Sequence, residues 1–332
     1  MQAALPGGWH SLSDQSRAVA GIEIGGRGQR VAIADDRGRI LGQAAGIDAG
    51  APAGVALDTV RGLVDIACDH AKVKRDELSR VGIAFGGPVD SDRGVTLLSH
   101  RAAGFEDFPL VNLLEEYIPA EIILENDARA AALGETIYGA ARGCRDVVFV
   151  HLGSGVGGGI IVDGRLIHGA SGTIGEIGHM VVSDGGPICS CGKPGHLEAY
   201  AAAPSIIRRL EDRFQRGPKG RLPSWSEHES ITVKSIFQHA RDGDEVASEV
   251  VDETIRVLGV AVANLITVLN PAAVIIGGSV AEVGTPLMSP LGARVRQFSY
   301  PASTRRLRLS PAQLRGDSAL MGAIALALTQ AN

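Results

Sequence analysis

Aromatic side chains make up only 4% of this sequence, so aliphatic side chains and close backbone approach must build the core. The 44 glycines point the same way. Cysteine is scarce as well. Four in 332 residues exclude a disulfide framework and fit a reducing cytoplasm. Cys68 falls in a helical apolar pattern, as a small core residue does, and Cys144 follows Arg142-Gly143 in a loop with no motif. Long basic tracts are missing: net charge is −5, and the short run Arg305-Arg306-Leu307-Arg308 reads as a solvated strand edge. Charge therefore gives no ground for nucleic-acid binding. Met1 to Arg17 lacks the apolar core of a signal peptide. The most apolar stretch, Val257 to Leu269, is too short to cross a bilayer and contains Asn264, which speaks against a membrane. No low-complexity segment occurs, and Arg216 to Ser226 reads as an exposed Pro/Gly/basic loop.

What is present is a chain with 45% hydrophobic residues and room for two domains. Residues 18 to 24 read as a strand broken by Gly25-Gly26. Arg30 to Ala34 and Arg39 to Ala44 follow as strands around the turn Asp35-Asp36-Arg37-Gly38. Ala53 to Ala71 has the apolar spacing of a helix. Arg80 to Phe85 is a buried strand entering Gly86-Gly87-Pro88. Glu121 to Leu124 is another, ending at Glu125-Asn126-Asp127 before an Ala-rich helix, Ala128 to Tyr138. The pattern then recurs: strand Asp146 to Leu152, glycine turn Gly153 to Gly159, strand Ile160 to Val162 and turn Asp163-Gly164. A long helix, Asp252 to Leu269, precedes a strand, Ala273 to Ile276, and the turn Gly277-Gly278-Ser279. Two related α/β halves with an active-site cleft between them are the economical reading.

Chemistry concentrates in three kinds of place. Gly25-Gly26, Gly153-Ser154-Gly155 with Gly157-Gly158-Gly159, and Gly277-Gly278 follow strands, where glycine lets backbone amides close on phosphate. Three such turns suggest a nucleotide; tight hairpins in a glycine-rich chain are the alternative. There is no Walker-type Gly-Lys-Ser/Thr sequence and no dinucleotide fingerprint. Asp127 sits between a strand and a helix, where a carboxylate serves either as a base for a substrate hydroxyl or as a helix N-cap. The third place is Gly175-Glu176-Ile177-Gly178-His179 with Cys189-Ser190-Cys191-Gly192-Lys193-Pro194-Gly195-His196-Leu197-Glu198. Its two cysteines and two histidines are ligands that suit zinc, in a turn-rich knuckle that leaves Glu176 and Glu198 for other work.

Together these segments resemble the ROK family (repressors, open reading frames and kinases) of the actin-like sugar kinase superfamily. The matching stretches are Gly87-Pro88-Val89-Asp90, Glu125-Asn126-Asp127-Ala128, Leu152 to Gly159, Gly175 to His179, Cys189 to Gly192, Gly195 to Glu198 and Ile276 to Ser279. They cover roughly residues 18 to 328. The resemblance implies an α/β fold of two actin-like (ribonuclease H-like) lobes with an interlobe cleft and a zinc knuckle. Residues 1–128 with 317–332 would form the N-terminal lobe, and 129–316 the C-terminal one. It also implies ATP with Mg2+, structural Zn2+, a hexose or N-acyl hexosamine substrate, and a homodimer. Asp127 matches the family's base, and Asn126, Glu176, His179 and Glu198 its sugar ligands, with Gly87 and Arg101 beside them. Gly25, Gly26, Arg27, Gly153, Ser154, Gly155, Gly277 and Gly278 match nucleotide-binding positions. His179, Cys189 and Cys191 match zinc ligands, and His196 stands where the family's fourth ligand is usually a cysteine.

Two departures stand out. The first phosphate motif usually reads Asp-x-Gly-Gly-Thr, and here it is Glu23-Ile24-Gly25-Gly26-Arg27. Glu23 is a methylene longer than Asp, and Arg27 adds a charge that clamps a phosphate or fills its place. Ser99-His100-Arg101 occupies the segment where many members carry a substrate-binding Asn; His100 or Arg101 contacts the sugar, or both belong to the surface. The expected activity is ATP-dependent phosphorylation of a sugar hydroxyl, at the 6-position. A sugar-binding sensor without kinase activity is the alternative. The family's repressors carry a helix-turn-helix before the first strand, and the seventeen or so residues here are too few for one, so no nucleic-acid partner is expected.

Overall fold

The computed structural model describes residues 18–99, 101–216, 223–227 and 230–329. Met1 to Arg17, His100 and residues 217–222 of the expected basic loop lie outside them. The described residues of 1–149, 159–175 and 316–332 form one compact unit, and those of 150–158 and 176–315 a second.

In chain order the elements begin with β1 (Val19–Gly25), β2 (Gly28–Ala34), β3 (Ile40–Gly46), α1 (Ala53–Ala71), β4 (Arg80–Phe85), β5 (Val89–Asp90), β6 (Val95–Thr96) and α2 (Leu110–Glu115). Next are β7 (Glu121–Asn126), α3 (Asp127–Ile137), β8 (Val147–Leu152), β9 (Val156–Val162) and β10 (Arg165–Leu166). The chain continues with α4 (Glu198–Ala201), α5 (Ala203–Arg216), α6 (Val233–Arg241), α7 (Glu245–Leu269), β11 (Ala273–Gly277), α8 (Thr285–Phe298), α9 (Pro301–Thr304), β12 (Arg308–Pro311) and α10 (Ser318–Leu328). One five-stranded sheet has the order β3-β2-β1-β4-β7 and the other β10-β9-β8-β11-β12. The second order repeats the first, strand for strand, as the recurring sequence pattern implies.

The first sheet shows how sequence sets the layers. β1 is buried along nearly its whole length, as a strand covered on both faces must be. Its alternate residues Ala20, Ile22 and Ile24 join the core beneath α1 (Leu57, Val60, Val64), and Val19 joins the opposite core with Ile324 of α10. A Cβ on Gly21 would collide with Ile324, so α10 lies directly on the backbone there. β1, β4 and β7 run parallel, with Ile24 beside Phe85 and Phe85 beside Asn126. Their C-terminal ends thus bring Gly25-Gly26, Gly86-Gly87 and Asp127 to one edge, the edge where α/β sheets place their chemistry.

Expectations change at the second glycine turn and at the long helix, and β2 begins at Gly28 rather than Arg30. Gly157, Gly158 and Gly159 are strand residues of β9, so the turn is confined to Gly153–Gly155. Gly159 is there for close approach: a Cβ would lie 2.9 Å from the Arg129 Cα of α3. The long helix also begins about two turns before Asp252, at Glu245, where the Asp244 carboxylate accepts the Ala247 amide at 2.8 Å. Among the described residues no helix is long and apolar enough to cross a membrane.

Candidate active site

In the first unit, the corner after β7 is built by Asn126. Its side-chain oxygen caps α3, accepting the amides of Ala128 at 3.0 Å and Arg129 at 3.2 Å. Its Nδ2 donates to Gly87 O at 3.1 Å and reaches Asp127 Oδ1 at 3.3 Å. Capping is therefore done by the neighbour, and the Asp127 carboxylate is spared for other work. Asp127 Oδ2 lies 3.3 Å from where a Cβ on Gly86 would sit and 3.8 Å from the same point on Gly25. Arg101 comes to the same place. Its Nη1 donates to Gly86 O at 3.2 Å, and its guanidinium lies 3.3 Å from the Gly26 Cβ position. Asp127, Asn126, Gly87, Arg101, Gly25 and Gly26 are thus gathered by the fold.

The hairpin between β1 and β2 is occupied by its own charges. Arg30 Nε donates to Glu23 Oε2 at 3.1 Å, and Arg30 Nη2 also reaches that oxygen. Arg30 Nη1 reaches Asp317 Oδ1 at 2.7 Å and Nη2 the Gly316 carbonyl at 2.6 Å. Burial pushes the Glu23 carboxyl up, against the pull of Arg30. Burial also opposes the charge on Arg30, but Glu23 and Asp317 hold that guanidinium charged. Arg27 packs on Gly316.

In the second unit, His179, Cys189, Cys191 and His196 bring one ligand atom each within 4.8 Å of one another. Cys189 Sγ is 3.6 Å from His179 Nδ1, and Cys191 Sγ is 3.2 Å from His196 Nδ1. With zinc bonds of ~2.0–2.3 Å, neighbouring donors of a tetrahedron stand about 3.3–3.8 Å apart, so this donor set fits zinc. His196 is buried at 9% exposure, unlike a solvated loop histidine. The other ring nitrogen of His179 lies 3.8 Å from Glu176 Oε2.

Glu198, the first residue of α4, links this knuckle to the glycine turn. Its Oε1 accepts from Ser190 Oγ and, at 3.4 Å, from Cys189 Sγ, while Oε2 accepts the Val156 amide at 3.1 Å. Burial works against its charge, but these hydrogen bonds and the nearby His179 outweigh it and hold the carboxyl below its usual range. A Cβ on Gly155 would lie 3.0 Å from Glu198 Oε2, so a larger residue there presses on that carboxylate. Gly278, at φ 85°, backs onto Leu152, so the turns after β8 and β11 meet. Gly153, Ser154, Gly155, Gly277 and Gly278 form that second cluster.

Four functional candidates escaped the sequence reading: Arg30, Glu125, Arg129 and His168. Arg30 was signalled by hairpin register. Glu125 stood in the stretch Glu125-Asn126-Asp127-Ala128 with no role assigned, and Arg129 and His168 carried no motif.

A model of the ROK family matches residues 19–330. The glucokinase of Halalkalibacterium halodurans is 36% identical over 256 residues, 76% of this chain and 77% of that one. The N-acetylglucosamine repressor of Escherichia coli O157:H7 is 33% identical over 259 residues, 78% of this chain and 62% of the repressor. A ROK family glucokinase from Streptomyces griseus, solved in complex with glucose and AMPPNP, superposes with a TM-score of 0.76 at 30% identity, covering 93% of this chain and 99% of that one.

Proposed function

The chain belongs to the ROK family, and on that premise we propose that it is an ATP-dependent sugar kinase. Its acceptor is a hydroxyl, the 6-position, of a hexose or an amino- or N-acyl-hexosamine. The observation that carries this reading is Asp127: a carboxylate at the C-terminal ends of three parallel strands, relieved of capping by Asn126. There it accepts the proton of the attacking hydroxyl. Asn126, Gly87, Arg101, Glu176, His179 and Glu198 are the acceptor's ligands in this reading. The amides of Gly25-Gly26, Gly153-Gly155 and Gly277-Gly278 hold phosphate and nucleotide. Magnesium-bound ATP supplies the phosphoryl group. Zinc, held by His179, Cys189, Cys191 and His196, crosslinks the knuckle that carries Glu198.

The test is Asp127→Asn. Sugar-dependent ADP release should fall ~100- to 10,000-fold, the usual share of a general base, while sugar affinity stays within about twofold. Full activity in this variant removes Asp127 from the role. A second reading, a sugar sensor without turnover, is favoured by one observation: Arg30 ion-pairs with Glu23, which stands where the first phosphate motif usually has its aspartate. Sugar-induced thermal stabilisation across a panel of hexoses, with no ADP formed from ATP, selects that reading.

A further inference from the structure

Beneath the Asn126–Asp127 corner lies a charged cluster that the proposed chemistry leaves unused. Glu125 is buried at 2% exposure, one residue before the capping Asn126. Its Oε1 accepts the Asn126 amide at 2.7 Å, so the carboxylate holds the peptide that turns β7 into α3. Arg129, at 4% exposure and one helical turn on, sets its Nε 2.7 Å from that same oxygen, in ion-pair range though off the hydrogen-bond line. His168 Nε2 stands 2.6 Å from the other oxygen, Oε2. An ionised carboxylate only accepts, so His168 is the donor. A buried carboxylate is tolerable only when it is satisfied in this way.

Arg129 and His168 also hold something else. Arg129 Nη1 donates to the Gly172 carbonyl. His168 opens the stretch His168–Gly175, in which Gly169, Gly172 and Gly175 all have positive φ (74°, 69° and 103°). Such a segment has no strand ladder or helix to fix it. Its anchors are the Arg129 and Glu125 contacts and internal bonds: Ile174 N to His168 O at 3.1 Å, Gly172 N to Gly169 O at 3.4 Å, and the Ser171–Thr173 hydroxyl pair at 3.0 Å. The next residue along the chain is Glu176.

We propose that Glu125, Arg129 and His168 are positioning residues that tie the base Asp127 and the segment entering Glu176 to one buried charge. This rests on the kinase reading, since it takes Asp127 as base and Glu176 as a sugar ligand. Neither end touches the cluster's work directly. A shift of the Glu125 carboxylate moves the corner peptide, and a shift of ~1 Å at a reacting group can cost ~100-fold in rate. The same shift frees Gly172 and, through it, the approach to Glu176.

The informative variants are at His168, whose side chain is 45% exposed and therefore replaceable without unmaking the core. His168→Phe removes the donor, and His168→Gln keeps one. On the full chain, His168→Phe should lower kcat at least ~10-fold and weaken sugar binding, measured by calorimetry without ATP, at least ~5-fold. His168→Gln should restore both to within ~3-fold of the parent. Glu125→Gln, checked for folding by circular dichroism, should follow His168→Phe. A purely structural role lowers Tm alone; unchanged kcat and sugar affinity in folded His168→Phe overturn the proposal. Weakened sugar binding with kcat intact also overturns it, because Asp127 is then independent of the cluster. A parent that binds sugar but makes no ADP defeats the kinase reading instead. Sugar affinity then decides: unchanged binding in His168→Phe sinks this proposal as well. A parent that binds no sugar removes both.

Discussion

Glu23 is one methylene longer than the aspartate usual in the first phosphate motif, and Arg30 takes up the extra reach. The two residues are direct cross-strand partners in the β1–β2 ladder. Counting back from the two-residue turn at Gly26-Arg27 pairs Gly25 with Gly28, Ile24 with Gln29 and Glu23 with Arg30. That register was therefore open to the sequence; starting the second strand at Arg30 instead of Gly28 concealed it. The side chains are 7% and 15% exposed, so the pair is buried. Arg30→Met should destabilise the protein by about 3–5 kcal/mol, the cost of leaving a buried charge unpaired, in denaturant unfolding at pH 7. Glu23→Gln combined with Arg30→Met should recover most of the loss. The pH dependence follows from burial, which already pushes the Glu23 carboxyl up and does so further without Arg30. An acid whose folded pKa exceeds its unfolded one binds more protons when folded between those values, so stability falls as pH rises through that window. Arg30→Met should accordingly regain stability as pH is lowered from 7 toward 5. A variant whose deficit does not shrink on acidification shows that Glu23 is not the stranded charge.

The elements that were legible are those with a clean period. α1 and β4 occupy the expected residues because their apolar positions recur at helical spacing or run unbroken between turn signals. The first two turns of α7 were hidden because Glu245, Ser248, Glu249 and Asp252 dilute the pattern; the N-cap Asp244 was the available signal. Gly157–Gly159 misled because glycine marks close approach as readily as a turn. Close approach also governs α3 and α10, whose contact is made of small residues. Ala84, Ala130 and Ala323 form one buried cluster. A Cβ on Gly322 would meet the Ala130 backbone, and one on Gly134 would come 2.8 Å from the Gly322 nitrogen. Gly322→Val must therefore push α10 off α3. Overpacking of this kind costs about 1–3 kcal/mol or more, read as a lower denaturant midpoint. Because α3 begins at Asp127, kcat should fall in the same variant by more than the loss of folded protein explains. A midpoint equal to the parent's refutes this tight packing.

At the scale of the whole molecule, two sheets of matching order each end in glycine turns, and this repeat was visible as a recurring strand, turn, strand and hairpin. The knuckle was visible too, from the spacing of His179, Cys189, Cys191 and His196. What no spacing revealed is that Glu198 joins the knuckle to the Val156 amide, because that contact spans forty-two residues and is made by folding. The consequence is that metal and sugar should be linked in the second unit while the Asp127 corner of the first keeps its own supports. Zinc bound to the folded chain alone stabilises it by mass action, so chelation should lower Tm and weaken sugar binding together. His196→Ala should purify with well under one equivalent of zinc and reproduce the chelated protein's Tm and sugar affinity. His196→Cys supplies the thiolate usual in the family and should retain about one equivalent with parental Tm. Parental zinc content in His196→Ala removes His196 from the ligand set. Full zinc loss with sugar affinity intact breaks the proposed link through Glu198, whatever the turnover of the loaded protein.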